Sequence, residues 1–314
     1  MTPRLNAVLL ILALVVGLPF YWLMIDNRPG DVPPKPIAVT QLRALAASIP
    51  GPRPVEAEMY RIGYNRALGD LYVAGSGIKR RGIGVLAWVL PVPGRGGIVI
   101  DTGMTAAQAR AQKVGVYDRH QQGAIDAAMH RADLILVTHE HLDHIGGLAA
   151  LHDPAAQAHA ALNPRQLPGP AQSSLGWQPG AAFRVIAQTG PVAVAPGVVV
   201  IPAPSHSPGS QLIFVTLADG TELLFAGDVS SLASNWRRLR ARSRVNGDIL
   251  TGENRDEVYA WLKTIRAWKQ QAPQMVVIPG HDVEYLDKRK FRGIRSMLPI
   301  PKLYDPALAN AGNF

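Results

Sequence analysis

The segment that most constrains this chain reads Thr-His-Glu-His-Leu-Asp-His-Ile-Gly-Gly and occupies residues 138–147. It follows an apolar run at residues 134–137, which predicts that the segment begins where a buried strand ends. Between His139 and His144 it places three imidazoles and the carboxylate of Asp143 within six residues. Nitrogen and carboxylate-oxygen ligands gathered on one loop suit a divalent metal such as zinc. A lone histidine usually fills a core or faces solvent, whereas this density predicts a metal site.

Further histidines and aspartates stand where other predicted strands end. These residues are Asp101, His206, Asp228 and His281, and each follows an apolar run. Because a sheet protein gathers the loops of neighbouring strands at one edge, these side chains can converge on the 138–147 segment. The chain contains no cysteine, so no thiolate is available as a nucleophile or a metal ligand. A water activated between two metals is therefore the best predicted nucleophile.

Taken together, five motifs in this order resemble the metallo-β-lactamase-fold hydrolases over about residues 80–285. They are Asp101-x-Gly103, His139-x-His141-x-Asp143-His144, His206 before Pro208-Gly209, Gly227-Asp228 and Gly280-His281. The resemblance implies an α/β fold: an αββα sandwich of two mixed β-sheets with helices outside.

The resemblance also implies a role for each residue at a matching motif position. His139, His141 and His206 would bind one metal. Asp143, His144 and His281 would bind a second, and Asp228 would bridge the two. Asp101 would orient a ligand histidine through a hydrogen bond. We expect two divalent ions, with zinc as the default, although iron and manganese share the same ligand preferences.

Asp143 and Asp228 are the predicted catalytic residues, and a small molecule is the predicted substrate. Asp143 would hold the attacking water or carry a proton to the leaving group. A bridging aspartate 22 residues after His206 is most similar to the lactonase and glyoxalase-II-like branch, which indicates ester or lactone hydrolysis. In acyl-homoserine lactonases a tyrosine commonly stands three residues after this aspartate, whereas this chain has Ser231.

Three alternative functions stay open on the sequence: a β-lactamase-type amide hydrolase, a phosphodiesterase acting on an anionic substrate, and a non-catalytic metal-binding scaffold. Part of the net charge of +9 lies in one run of arginines. Three of these, Arg237, Arg238 and Arg240, are predicted to form an electropositive rim. The same run could equally be a solvated face, or one resting on anionic lipid headgroups. A nucleic-acid substrate is not expected, because only 53 residues separate Asp228 from His281, too few for a large inserted domain.

The N-terminal region predicts a membrane anchor. Residues 7–25 are almost wholly apolar, close to the roughly 20 residues that cross a bilayer as a helix. No small-residue cleavage site follows, so an uncleaved single-pass helix is favoured over a cleaved signal peptide. Arg4 favours a cytoplasmic N-terminus, and hence a periplasmic catalytic domain.

Four segments are predicted: an anchor (1–28), a Pro-rich linker or arm (29–54), the hydrolase domain (55–300) and a C-terminal tail (301–314). The linker is interpreted as a stiff spacer containing one short helix at residues 40–47, with Thr40 as its N-cap. Residues 254–270 are the clearest helix, with Asn254 as N-cap and an apolar stripe that predicts core packing. Residues 211–215 and 221–225 are predicted to form a hairpin.

Overall fold

The computed structural model describes residues 2–28, 30–177, 180 and 182–297, so the predicted tail at 301–314 lies outside the described residues. The helices are α1 (Pro3–Ile25), α2 (Val39–Ser48), α3 (Gly69–Tyr72), α4 (Ala106–Ala111), α5 (Arg119–Met129), α6 (Leu142–Ala149), α7 (Pro154–Gln157), α8 (Ala233–Arg238), α9 (Arg255–Gln271) and α10 (Val283–Lys288).

The strands are β1 (Ala57–Leu68), β2 (Arg80–Leu90), β3 (Ile98–Ile100), β4 (Val116–Tyr117), β5 (Leu134–Leu136), β6 (Ala161–Leu162), β7 (Arg184–Val185), β8 (Val192–Ala195), β9 (Val198–Pro202), β10 (Gln211–Thr216), β11 (Glu222–Gly227), β12 (Val276–Pro279) and β13 (Ile294–Ser296). Short 3₁₀ turns lie at Pro170–Leu175 and Asp228–Ser230, and a wide π turn lies at Val245–Thr251.

Two mixed sheets form the centre of the fold. One has the strand order β13-β1-β2-β3-β5 with β4 paired to β1, and the other has the order β12-β11-β10-β9-β8. In both sheets antiparallel pairs are combined with parallel ones, of which β3–β5 and β11–β12 are the two that lead to the site. The predicted hairpin is confirmed, since β10 pairs with β11 in antiparallel register.

The alternation of side chains along each strand divides the apolar residues into three layers. In β2, Leu86 and Trp88 point into the layer between the sheets, where the Trp88 ring lies 5.3 Å from that of Phe225. Val85 and Ala87 point to the opposite face, which packs under α5 and α6. Because the central strands of each sheet are apolar on both faces, neither sheet can face water there, and helices cover both outer faces. This is the predicted αββα sandwich.

Helix α9 covers the outer face of the second sheet, as its sequence pattern predicts. The Asn254 side chain caps the helix by accepting a hydrogen bond from the backbone N–H of Glu257. The predicted apolar stripe is fully buried: Val258, Trp261, Leu262, Ile265 and Trp268. These residues are core packing, which confirms the prediction.

The Pro-rich segment, interpreted from its composition as a stiff spacer, is packed along the domain. Helix α2 buries Val39, Leu42 and Ala46 in the same outer layer as α9. The indole N–H of Trp268 donates to the backbone carbonyl of Ile37 at 2.7 Å. The prediction of Thr40 as N-cap is wrong, because the helix already begins at Val39 with Ala38 as its cap. Val39 is buried, and a rule based on capping preference does not take burial into account.

Candidate metal centre

Two pairs of parallel strands bring the predicted site residues to one edge of the sandwich. Asp101 follows β3, and His139 follows the parallel strand β5. Asp228 follows β11, and His281 follows the parallel strand β12. Since parallel strands present their carboxyl ends at the same edge, each pair of residues is adjacent by topology. The two sheets are joined at this edge by a hydrogen bond, which the backbone N–H of Gln211 donates to the Thr138 carbonyl at 2.8 Å.

All seven predicted ligand residues lie in two adjacent groups, within each of which the candidate ligand atoms are within 4.8 Å of one another. We call His139, His141 and His206 the first cluster, and Asp143, His144 and His281 the second cluster. Asp228 belongs to the first group by distance.

The Asp228 carboxylate lies between the clusters. Its Oδ2 is 3.5 Å from Nε2 of His206 and 3.9 Å from Nε2 of His139, both in the first cluster. Its Oδ1 is 2.9 Å from Nε2 of His281 and 3.8 Å from Nε2 of His144, both in the second cluster. Close approach of the two strands depends on Gly280, because a methyl group there would overlap the Asp228 carboxylate. One carboxylate therefore faces both clusters.

Three of the histidines are oriented by acceptors on the far side of the ring. Nδ1 of His144 lies 2.9 Å from Oδ2 of Asp101, as the sequence predicts for that aspartate. Nδ1 of His281 donates to the Gly84 carbonyl at 2.7 Å, and Nδ1 of His206 lies 3.0 Å from Oε2 of Glu253. At His144 and His281 the acceptor holds the proton on Nδ1, which leaves the Nε2 lone pair directed at the site. At His206 the guanidinium of Arg242 also contacts Nδ1, so Glu253 and Arg242 together position this ring.

The donor set fits a divalent cation. Nε2 of His139 and Nε2 of His144 are buried and make no hydrogen bond within the described residues, a costly arrangement unless something binds there. Burial lowers the pKa of His139 and of His206, so both rings are neutral at pH 7 and offer lone pairs. Burial would also lower the pKa of His144, but the carboxylates of Asp143 and Asp101 raise it to about 10. The negative field that retains a proton there equally favours a metal ion.

The site opens into a cavity of about 470 Å³. Asp143, His141 and His206 form its floor together with Asp228. One wall is apolar and consists of Ile83, Val85, Met104, Val114 and Leu142. The Asp143 side chain is 28% exposed, whereas the Asp228 side chain is 6% exposed, so Asp143 is the more accessible of the two carboxylates. The volume and lining suit a small molecule with an apolar part.

Arg242 is the arginine of the basic run that reaches the site. It is 5% exposed and lines the cavity, with Nη2 donating to Oδ2 of Asp228 at 2.6 Å and to Oγ of Ser231. Its Nη1 lies 3.5 Å from Oε2 of Glu253. The buried arginine thus lies between two carboxylates, which offset its charge. In the sequence this run is one basic patch, and no local spacing distinguishes Arg242 or marks Glu253.

The three arginines predicted as an electropositive rim do not line this cavity. Arg237 and Arg238 are exposed at the end of α8. Arg240 donates instead to the backbone carbonyls of Ala74 and Gly75, at 3.2 and 2.7 Å. The chain turns sharply at Leu239, whose φ is 51°, and this turn separates the helix-borne arginines from the buried Arg242.

Ser231 is buried beneath Arg242 and does not reach the cavity. A tyrosine from another element, Tyr72 at the end of α3, lines the cavity instead. Its ring centre lies 6.4 Å from that of His281, and its hydroxyl has no hydrogen-bond partner among the described residues. Burial raises the pKa of Tyr72 to about 12, so the hydroxyl keeps its proton and can donate.

Comparison with known proteins agrees with this geometry. Residues 80–281 match the family model of the metallo-beta-lactamase superfamily, which covers well over half of the chain. The chain therefore belongs to the metallo-beta-lactamase superfamily and is a metal-dependent hydrolase of that fold. No curated protein sequence matches the chain significantly.

Among solved structures, the chain is similar to a quorum-quenching N-acyl homoserine lactone lactonase, with 17% identity and a TM-score of 0.60 over 76% of this chain and 97% of that one. An N-acyl homoserine lactone hydrolase with N-hexanoyl-L-homoserine at its catalytic metal centre matches at 17% identity and a TM-score of 0.60, over 76% and 98%. A mutant of the B. thuringiensis protein AiiA, with N-decanoyl-L-homoserine bound, matches at 16% identity and 0.59, over 76% and 98%. At these identities the similarity shows the fold.

Proposed function

We propose that this protein is a membrane-anchored hydrolase that uses two divalent metal ions, most simply zinc, to cleave an ester or a lactone. The observation that carries the proposal is the position of Asp228, one carboxylate facing two complete ligand clusters. The first cluster would hold one ion and the second cluster the other, with Asp228 between them. Bound there, the ions would supply an activated water and polarise the carbonyl under attack.

The chain's own residues supply orientation and proton transfer. Asp101, Glu253 and the Gly84 carbonyl hold the ligand rings in place, and so preserve the geometry that metal affinity requires. Asp143 faces the cavity and is placed to accept the proton of the attacking water and pass it to the leaving alkoxide. The Tyr72 hydroxyl is placed to donate a hydrogen bond to the substrate carbonyl. It thereby replaces the tyrosine that position 231 lacks.

The cavity favours a neutral carbonyl substrate over a phosphodiester. Arg242 would be the natural partner of a phosphate, but Asp228 and Glu253 already occupy it. The apolar side chains that line the cavity instead suit an acyl or alkyl group. Hydrolysis of an ester or a lactone therefore follows more directly from these contacts than hydrolysis of a phosphodiester.

A panel of substrates tests the activity. Full-length protein in detergent, loaded with zinc, would be assayed with lactones, aryl esters, thioesters, a chromogenic cephalosporin and bis-nitrophenyl phosphate. We expect the highest kcat/KM on a lactone or ester, together with two metal equivalents by elemental analysis. Fastest hydrolysis of the cephalosporin or the phosphodiester, or full activity with one equivalent, would refute the proposal.

The anchor is helix α1, which is long and apolar enough to cross a bilayer and in whose apolar window no residue is buried within the described chain. We place the catalytic domain on the periplasmic side, as Arg4 at the opposite end favours. Carbonate extraction of membranes checks the anchor, and protease protection in intact and opened spheroplasts checks the side. Release of full-length protein by carbonate would exclude the anchor.

A further inference from the structure

The end of helix α1 is bound firmly to the catalytic domain. The guanidinium carbon of Arg244 lies 3.7 Å from the centre of the Trp22 ring, and its Nη2 contacts Oδ2 of Asp26 at 3.1 Å. Arg255 donates to the backbone carbonyl of Asp26 at 3.0 Å. On the other side, the backbone N–H of Gly75 donates to the Met24 carbonyl at 3.1 Å. The helix therefore leaves the domain at a defined place, between two loops.

These two loops, residues 73–79 and 240–252, carry unusual apolar tips. Ile78 is 74% exposed, Leu250 is 70% exposed and Ile249 is 65% exposed. Among the described residues outside α1, these three are the most exposed large apolar side chains, and the next is Val185 in β7 at 50%. Ile249 and Leu250 are consecutive, and contiguous exposed apolar surface marks an interaction site, whereas a single exposed apolar side chain does not. The exposed cations Lys79 and Arg80 follow Ile78 directly.

The second loop also forms part of the cavity mouth. Asn246 and Thr251, at either end of the π turn, line the cavity, and Ile249 and Leu250 lie at its tip between them. The hydroxyl of Thr251 donates to the Asn246 carbonyl at 2.9 Å and closes the turn. Whatever surface receives the tip therefore lies next to the entrance of the site.

We propose that the Ile249–Leu250 tip, with Ile78, inserts into the lipid bilayer beside α1, so that the cavity opens at the membrane surface and takes amphiphilic acyl esters or lactones from the lipid phase. The inference rests on the proposed anchor and on the proposed ester or lactone hydrolysis. A bilayer is the occupant that the position favours, because α1 brings it to these loops. Lys79 and Arg80 would meet anionic headgroups while the apolar tips pass below them.

Site-directed spin labelling tests the contact directly, since the chain has no cysteine and a single introduced one is labelled uniquely. Full-length Leu250→Cys would be reconstituted in nanodiscs of phosphatidylethanolamine and phosphatidylglycerol. We expect its nitroxide to be relaxed more by oxygen than by a water-soluble nickel chelate. Val185→Cys is the control for an exposed site in water, and Val15→Cys is the control for the bilayer interior.

The controls separate the possible failures. A Leu250 label with the accessibility of the Val185 label, while the Val15 label stays in lipid, overturns the inference and leaves the anchor intact. If the Val15 label is also in water, the anchor fails and the inference fails with it. A tip label in lipid establishes the contact even if no ester or lactone is hydrolysed, in which case only the proposed reaction falls.

Substrate chain length tests the consequence for function. In the same nanodiscs, the double variant Ile249→Ser/Leu250→Ser should lose about tenfold in kcat/KM on a long-chain lactone, because two apolar side chains no longer hold the mouth at the bilayer. Hydrolysis of a short-chain, water-soluble lactone by the double variant should change less than about twofold. In the control variant Val185→Ser, hydrolysis of both lactones should also change less than about twofold. Equal losses on both substrates would contradict delivery from the membrane.

Discussion

The two ligand clusters differ in how their charge is arranged. The first cluster has imidazoles alone and lies beside the cation of Arg242, and burial together with Arg242 lowers the pKa of its His206. The second cluster has a carboxylate of its own, that of Asp143. A further carboxylate, that of Asp101, lies behind His144. Burial would lower the pKa of His281, yet Asp228 raises it. Glu253 lies behind His206 of the first cluster, but Arg242 offsets its charge, so the second cluster is the more anionic of the two. Asp228 faces both clusters.

The largest effect should come from removing that shared group. Asp228→Ala leaves three neutral imidazoles in the first cluster, enough for one ion, but removes an anionic ligand from the second cluster. We expect turnover to fall by about 10²-fold or more, with metal content falling from two equivalents towards one. Elemental analysis and ester or lactone hydrolysis would be measured together. The matched control is Asp219→Ala, on the turn between β10 and β11. Near-normal turnover in the Asp228→Ala variant would refute the bridging role.

Substitution of the carboxylates that orient the ligand rings should show whether the two clusters bind metal independently. Asp101→Asn is expected to weaken the metal at the second cluster, and Glu253→Gln the metal at the first cluster, each by roughly 10–100-fold. Cobalt titration followed by visible absorbance would distinguish the two ligand sets. Loss of the same signal in both variants would show that the clusters are not independent sites.

Asp101 should in addition affect folding, because its Oδ1 also accepts from the backbone N–H of Thr138 at 2.7 Å. Amidation leaves this buried network partly unsatisfied, so Asp101→Asn should lower the free energy of unfolding by about 1–3 kcal/mol. In the contacts described above, Glu253 accepts hydrogen bonds from side chains and none from the backbone. Glu253→Gln should therefore lower the free energy of unfolding by less. Urea denaturation of the metal-free proteins would measure both.

A smaller effect is expected at Tyr72, beside the second cluster. Tyr72→Phe keeps the ring and removes only the hydroxyl, so metal content should be unchanged while kcat falls about tenfold. Because the hydroxyl has no partner within the described residues, stability should not fall. Unchanged kcat on every substrate would remove Tyr72 from the proposed reaction.

The smallest effect should follow from changing the exposed arginines of α8. Arg237→Ala and Arg238→Ala should change kcat/KM by less than about twofold, since neither side chain lines the cavity and exposed charges at a distance are screened. The measurement would be repeated at low and high salt. A loss above tenfold at low salt would restore these residues as an electropositive rim.

Much of the site was accessible from the sequence because its ligand residues lie at strand ends in a recognisable order. The spacing of His139, His141 and His144 needs only one loop, and the structure brings these residues together as expected. The apolar pattern of α9 was equally local, since burial repeats with the helical period. By contrast, Thr40 was misplaced as a helix cap because the packing of Val39 on a distant sheet is not a local property.

The sequence by itself determined the fold class, the clustering of the seven candidate ligand residues, the position of Asp101 beside His144 and the presence of an apolar N-terminal helix. Only the tertiary structure decided which arginine reaches the site, that Glu253 orients His206, that Tyr72 occupies the cavity, and that the Pro-rich segment packs on the domain. The physical reason is sequence distance. Glu253 and His206 are separated by 47 residues, and no pattern within one element carries the contact that folding makes between them.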